Sequence, residues 1–192
     1  MPQADETNVR LRRGRPEAND AEHYARLADA AAGGGFRRQY GSSWLAALTA
    51  AYPARCDRTI FLEAEGEIAG GIGFDSRDDQ TSMAELHSPS IRTRAVSAWR
   101  SLLGIRIEEV RSGELYLAFF AVYPSARRRG YGARLVAATA PEARNRGLGL
   151  LTAAVHRRNQ ASLSFVRNAG FEVTGHSGPL VRVSRSIGDD RP

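Results

Sequence analysis

Three consecutive arginines, Arg127, Arg128 and Arg129, run directly into Gly130-Tyr131-Gly132. Upstream lies a short apolar run, Leu115 to Val122, closed by the turn signal Tyr123-Pro124. A run of that length reads as a buried strand. Downstream, Tyr131, Leu135 and Ala138 share one helical face, so a helix opens at about Gly132. Strand, glycine turn and helix start, in that order, build an anion site. The first-turn N–H groups of a helix have no internal partner, and the helix dipole adds partial positive charge. Glycines let a ligand approach the backbone. Three guanidinium groups add fixed charge, and a pyrophosphate is the ligand expected there.

Arg127 to Gly132 fits the R/Q-x-x-G-x-G/A signature, and on it the chain resembles the GCN5-related N-acetyltransferases. Three further markers lie in register. Ala121-Val122 closes the preceding strand, Gly147 falls where the family's long helix ends, and Asn159 with Gly170-Phe171 matches the later N…GF pattern. The resemblance implies that backbone groups of Phe120, Ala121 and Val122 hold the pantetheine arm of acetyl-coenzyme A. It also implies that those of Arg128 to Ala133 (Gly130, Tyr131 and Gly132 included) take the pyrophosphate, with Arg127 and Arg129 around it. Asn159 touches the cofactor arm in many members, although a helix cap alone would account for it. Ser162 and Phe165, on the following turns, are candidates for the same channel.

The implied reaction moves an acetyl group from a thioester to an amine. It needs a positioned thioester, a deprotonated amine, a stabilised oxyanion and a protonated thiolate. Many members protonate the thiolate with a tyrosine seven residues after the asparagine. Here that position is Val166, which has no proton to give, so water is left to supply it. Tyr116 stands where histone-modifying relatives place a glutamate base. Glu114, two residues earlier, shares its strand face, which suggests a Glu114–water–Tyr116 relay. The alternative for Glu114 is a carboxylate in solvent at the strand entrance. Glu85, His87 and His176 are further polar candidates.

Composition narrows the chemistry. All 27 basic residues are arginine, and the formal net charge is +6. Without lysine there is no P-loop, no Schiff-base enzyme and no kinase strand lysine. Cys56 is the one cysteine, which excludes an internal disulfide and a cysteine-based zinc site, and no metal is expected. A GC-rich genome is one reading of the arginine excess, and a polyanion partner is the alternative. The arginines scatter rather than cluster with aromatics, which argues against nucleic acid. No apolar run approaches the roughly 20 residues of a membrane span. A cytoplasmic location is expected, since Met1 to Asp20 lacks a signal-peptide core.

These residues must be held by an α/β domain with a mixed, twisted sheet of about six to seven strands, splayed at its centre and flanked by helices. It is expected over residues 9–187, between a loose start at 1–8 and a loose tail at 188–192. Val9 to Arg13 reads as the first strand, its arginines facing solvent. Asn19 and Glu22 look like a capping box for a helix to about Ala31, and Ser42 or Ser43 to Ala51 forms a second. By resemblance, these two helices edge the acceptor groove. Thr59 to Ala64 and Glu67 to Phe74 make a hairpin around Glu65-Gly66. Its glycines 70, 71 and 73 suggest a bulge or close backbone approach, in either a weak edge strand or a groove wall with room for substrate. Residues 76–112, with a helix over Thr93 to Leu103, read as an insertion. Acceptor selection, a contact with a second copy, and a decorated loop without a role are its alternatives. Pro141 should kink the helix near Ala137 to Pro141, at a cost of ~3 kcal/mol or more for an unbroken one. Leu148 to Val155, a helix from Gln160 to Asn168 capped by Asn159 and Gly170, and a hairpin of Phe171 to Gly175 with Val181 to Arg185 complete the chain. A non-catalytic acyl-coenzyme A sensor is the reading from another class.

Overall fold

The central strand, β4 (Glu114–Val122), buries Leu115, Leu117 and Phe119 at alternate positions. That period of two is what the sequence demands of a strand covered on one face. The computed structural model describes residues 8–31, 43–79 and 110–188. The expected helix at Thr93 to Leu103, Glu85, His87 and most of the 76–112 insertion lie outside them. Seven strands form one sheet in the order β1-β2-β3-β4-β5-β7-β6. The others are β1 (Val9–Arg13), β2 (Thr59–Ala64), β3 (Glu67–Asp75), β5 (Leu150–His156), β6 (Glu172–Ser177) and β7 (Leu180–Ser186). The β4–β5 ladder is parallel; β1–β2, β2–β3, β5–β7 and β6–β7 are antiparallel. The sheet is therefore mixed, as expected. The β4–β5 ladder runs from Glu114↔Leu150 to Leu117↔Ala153, while β4 itself continues to Val122.

The chain divides into two compact units. Met1–Gly73 with Phe119–Thr139 is the first. There, helix α1 (Ala18–Ala31) lays Ala21, Tyr24, Ala25 and Leu27 into a core with Leu48, Tyr52, Phe61, Ile68 and Phe119. Leu48 belongs to α2 (Ser43–Ala51), which a 3₁₀ turn from Tyr52 to Arg58 joins to β2. Helix α1 starts at Ala18, one residue before the expected cap, because Ala21 N–H already donates to the Glu17 carbonyl. Asn19 is thus inside the first turn. Asp20, 1% exposed, has a different task. It accepts both terminal nitrogens of Arg12, at 2.6 and 2.7 Å, and the Arg15 N–H at 2.8 Å. Burial alone would push the Asp20 carboxyl up, but these bonds outweigh it and hold it below its ordinary range. Arg12 also donates to Glu63. The expected solvated arginine face of β1 is therefore correct for Arg10, whose side chain is 68% exposed, and wrong for Arg12, at 15%.

The hairpin turn has Glu65 at φ 57° and Gly66 at φ 84°, the two left-handed residues of a type I′ connection. Its glycines are explained neither by a weak edge nor by room for substrate. β3 lies inside the sheet, and protein fills the space beside it. A Cβ on Gly70 would stand 2.8 Å from the Ala121 carbonyl, and one on Gly73 only 2.4 Å from the Phe119 ring. The expected bulge is present, between Leu62 and Glu63. Gly73→Ala should cost ~1–3 kcal/mol, since Phe119 must leave its place. Urea denaturation measures this; an unchanged midpoint would show that the ring moves freely.

The helix after β4 breaks where Pro141 requires. Helix α3 (Tyr131–Ala137) ends, Ala138 is a turn, and α4 (Thr139–Asn145) begins. Pro141 falls in the first turn of α4, where a missing N–H matters least. Thr139 Oγ1 donates to the Val136 carbonyl at 2.7 Å.

The second unit is Phe74–Ala118 with Ala140–Pro192. Helix α5 (Gln160–Asn168) starts at Asn159, whose Oδ1 accepts the Ser162 N–H at 3.1 Å. It stops at Gly170, in the left-handed region at φ 80°. Val166 is 1% exposed, an apolar core residue of this helix.

Candidate active site

Within the first unit, the chain leaves β4 through Tyr123, takes a 3₁₀ turn at Pro124–Ala126, and enters the arginine loop. Arg127 Nε donates to the Val122 carbonyl at 3.2 Å, so this side chain folds back onto the strand. Arg128 has φ 63°, a left-handed conformation that a non-glycine residue adopts at a cost. Gly130 follows at φ 76° and precedes the helix. Residues 127–130 are all exposed. Arg134 N–H donates to the Gly130 carbonyl at 3.2 Å and so makes the first bond of α3. The amides of Tyr131, Gly132 and Ala133 precede it and have no helical acceptor. Strand end, strained arginine, glycine and open amides thus follow one another as the sequence suggests. Arg129 lies 3.7 Å from Glu65, an exposed pair that constrains it little.

Phe120, Ala121 and Val122 are half-buried on β4. Gly70 lets the Ala121 carbonyl come close to β3, and Tyr123 N–H donates to the Ala69 carbonyl at 2.9 Å. Tyr131 anchors the start of α3 in the core, at 8% exposure.

The sequence reading missed a pair in this unit. His23 Nδ1 and Tyr123 Oη are 2.8 Å apart, with the rings edge to face at 5.7 Å between centroids. Desolvation first, and the charge of Arg26 second, keep His23 below its ordinary range; burial pushes Tyr123 up. A hundred residues separate the two, and no local pattern could have joined them.

In the second unit, Glu114 is 6% exposed, which overturns its placement in solvent. Its Oε2 accepts from Arg182, from Thr152 Oγ1 at 3.4 Å and from the Arg111 N–H at 3.3 Å. Arg182 is 4% exposed and Thr152 fully buried. The carboxylate expected to serve a relay with Tyr116 is the hub of a buried polar cluster. Tyr116 is half-buried on the same strand. Ser162 and Phe165 are half-buried on α5, and His176 is exposed on β6.

The family model described as "Acetyltransferase (GNAT) family" matches residues 26–171. The chain belongs to the GNAT acetyltransferase family. No curated protein matches it. Solved structures share the fold. An N-acetyltransferase from Staphylococcus aureus Mu50 is 16% identical, with 91% of this chain and 98% of that one aligned at a TM-score of 0.67. The PaiA N-acetyltransferase from Thermoplasma acidophilum, solved with coenzyme A, is 13% identical over 94% and 99%, at 0.62. The ribosomal-protein-S18-alanine N-acetyltransferase from Escherichia coli is 15% identical over 95% and 97%, at 0.55. Among the described residues of this GNAT protein, no helix is long and apolar enough to cross a membrane.

Proposed function

We propose that this GNAT protein transfers an acetyl group from acetyl-coenzyme A to a primary amine of a small molecule or peptide. The observation that carries the reading is the arginine loop after β4 opening onto first-turn amides, 131–133, that precede the first bond of α3 from Arg134 to Gly130. Those amides and the guanidiniums of Arg127, Arg128 and Arg129 take the pyrophosphate. Backbone groups of Phe120 and Ala121 receive the pantetheine arm. Val122 contributes its N–H, because its carbonyl already accepts from Arg127. Asn159 caps α5, and a further contact to the cofactor arm would use the same side chain. Ser162 and Phe165 follow it on the helix.

In the transfer, the amine nitrogen attacks the thioester carbonyl carbon. The C–S bond breaks, the nitrogen loses a proton to water, and the thiolate takes one from water. No side chain at position 166 can supply that proton. This feature favours one second reading, an acyl-coenzyme A sensor without turnover. Thermal-shift titration with acetyl-, propionyl- and longer acyl-coenzyme A, followed by thiol release with a panel of amines, separates the two. Release that depends on an amine is the expected result. Binding without release would leave the sensor, and absence of binding would end both readings.

A further inference from the structure

We infer that His23 is a positioning residue for the cofactor strand, acting through its hydrogen bond to Tyr123. The inference rests on the functional reading above and adds a residue to it. Tyr123 directly follows the proposed pantetheine cradle, Phe120 to Val122, and opens the 3₁₀ turn that leads into the arginine loop. Its placement bears on both. Three bonds fix it. Its N–H reaches the Ala69 carbonyl on β3, its carbonyl accepts the Ala126 N–H, and its hydroxyl reaches His23 on α1. One residue on, Tyr24 packs edge-on against Phe119, with centroids 5.2 Å apart. Helix α1 therefore grips β4 twice, once through apolar contact in the core and once through a polar contact at the strand's exit.

The first grip builds the core and would serve any fold. The second joins two half-buried titratable side chains, with Tyr123 packed on the edge of the core. Its charged surroundings come from α1 itself (Asp20, Glu22 and Arg26) and from Arg12 on β1. Burial first, and Arg26 second, hold the imidazole below its ordinary range, which favours a bond between uncharged partners. α1 is also the helix that the family resemblance places at the acceptor groove. The pair thus ties that helix to the strand that aims the thioester.

The test uses four variants of the full chain: Tyr123→Phe, His23→Leu, the two combined, and His23→Asn, whose amide oxygen stands near the place of Nδ1. Calorimetry with coenzyme A and steady-state kinetics with acetyl-coenzyme A are the measurements. Tyr123→Phe and His23→Leu should each weaken coenzyme A binding about fivefold, the worth of one neutral hydrogen bond. The KM for acetyl-coenzyme A should rise alike, with kcat within about twofold of wild type. The combined variant should be no weaker than either single one, because both remove the same bond. His23→Asn should bind within about twofold of wild type. Unchanged affinity in both single variants would overturn the inference, as would failure of His23→Asn to recover it. Wild type that does not bind coenzyme A would sink the functional reading and the inference together. Wild type that binds, with indifferent variants, would sink the inference alone.

Discussion

Gly132→Val should remove coenzyme A binding and leave the fold standing. Gly132 is the second residue of α3, a helical position where no positive φ is required. In a helix, valine costs no more than the glycine it replaces, so stability should change by less than about 1 kcal/mol. The ligand side fares differently. The amides of Tyr131, Gly132 and Ala133 are the proposed pyrophosphate donors, and an isopropyl group among them holds the phosphates away. Losing two or three hydrogen bonds to a charged group, at ~1.5–3 kcal/mol each, weakens binding more than about a hundredfold. Gly130 would be a poorer choice. Its φ of 76° makes any larger residue strain the backbone, and a loss of binding there could be a loss of fold. Calorimetry with coenzyme A reads affinity, and a thermal melt reads stability. Normal affinity in a folded Gly132→Val protein would move the pyrophosphate elsewhere.

The amino-acid order alone leads to that variant, because the loop's chemistry is local. Arg127 to Gly132 carries charge, turn and helix start within six residues, and each has a mechanism that needs no distant partner. The same holds for the hairpin at Glu65-Gly66, the break before Pro141 and the Asn159 cap. Each is decided by backbone preferences of neighbouring residues. Short apolar runs bounded by turn signals place β4 and β5 within two residues of their observed ends.

What the sequence hid were partnerships between distant residues. Arg12 looks like Arg10 on paper, two steps along the same strand. Only the fold puts Asp20 against Arg12 and keeps Arg10 exposed beside Glu63. Gly73 reads as spare room, yet the space belongs to a phenylalanine from β4. His23 and Tyr123 meet because α1 crosses the end of β4, and residue spacing carries no trace of that crossing. The Asn19 cap failed for a related reason. The capping pattern was present, but the chain had already entered its helix, and Asp20, buried against Arg12, became the residue with the larger role.

Glu114 is the case where such a partnership changes a functional argument. Arg182→Met should destabilise the protein by ~3–5 kcal/mol, since it leaves a buried carboxylate without its cation. Thr152 and the Arg111 N–H remain, but two neutral donors at 3.3 to 3.4 Å do not replace a guanidinium. Glu114→Leu combined with Arg182→Met should recover most of the loss, because an apolar pair of similar volume commonly equals a buried ion pair. Urea denaturation of the three proteins measures this. A single variant as stable as wild type would mean that the pair is screened by water, contrary to its burial. The double variant then decides the chemistry. It lacks the carboxylate but keeps the strand, so a structural Glu114 predicts kcat within about threefold of wild type, the scatter expected of a change that touches no reacting group. If the double variant is stable and its kcat collapses, the carboxylate takes part in proton transfer. The water relay to Tyr116 would then be the route to examine, with Arg182 holding the base in place rather than sequestering it.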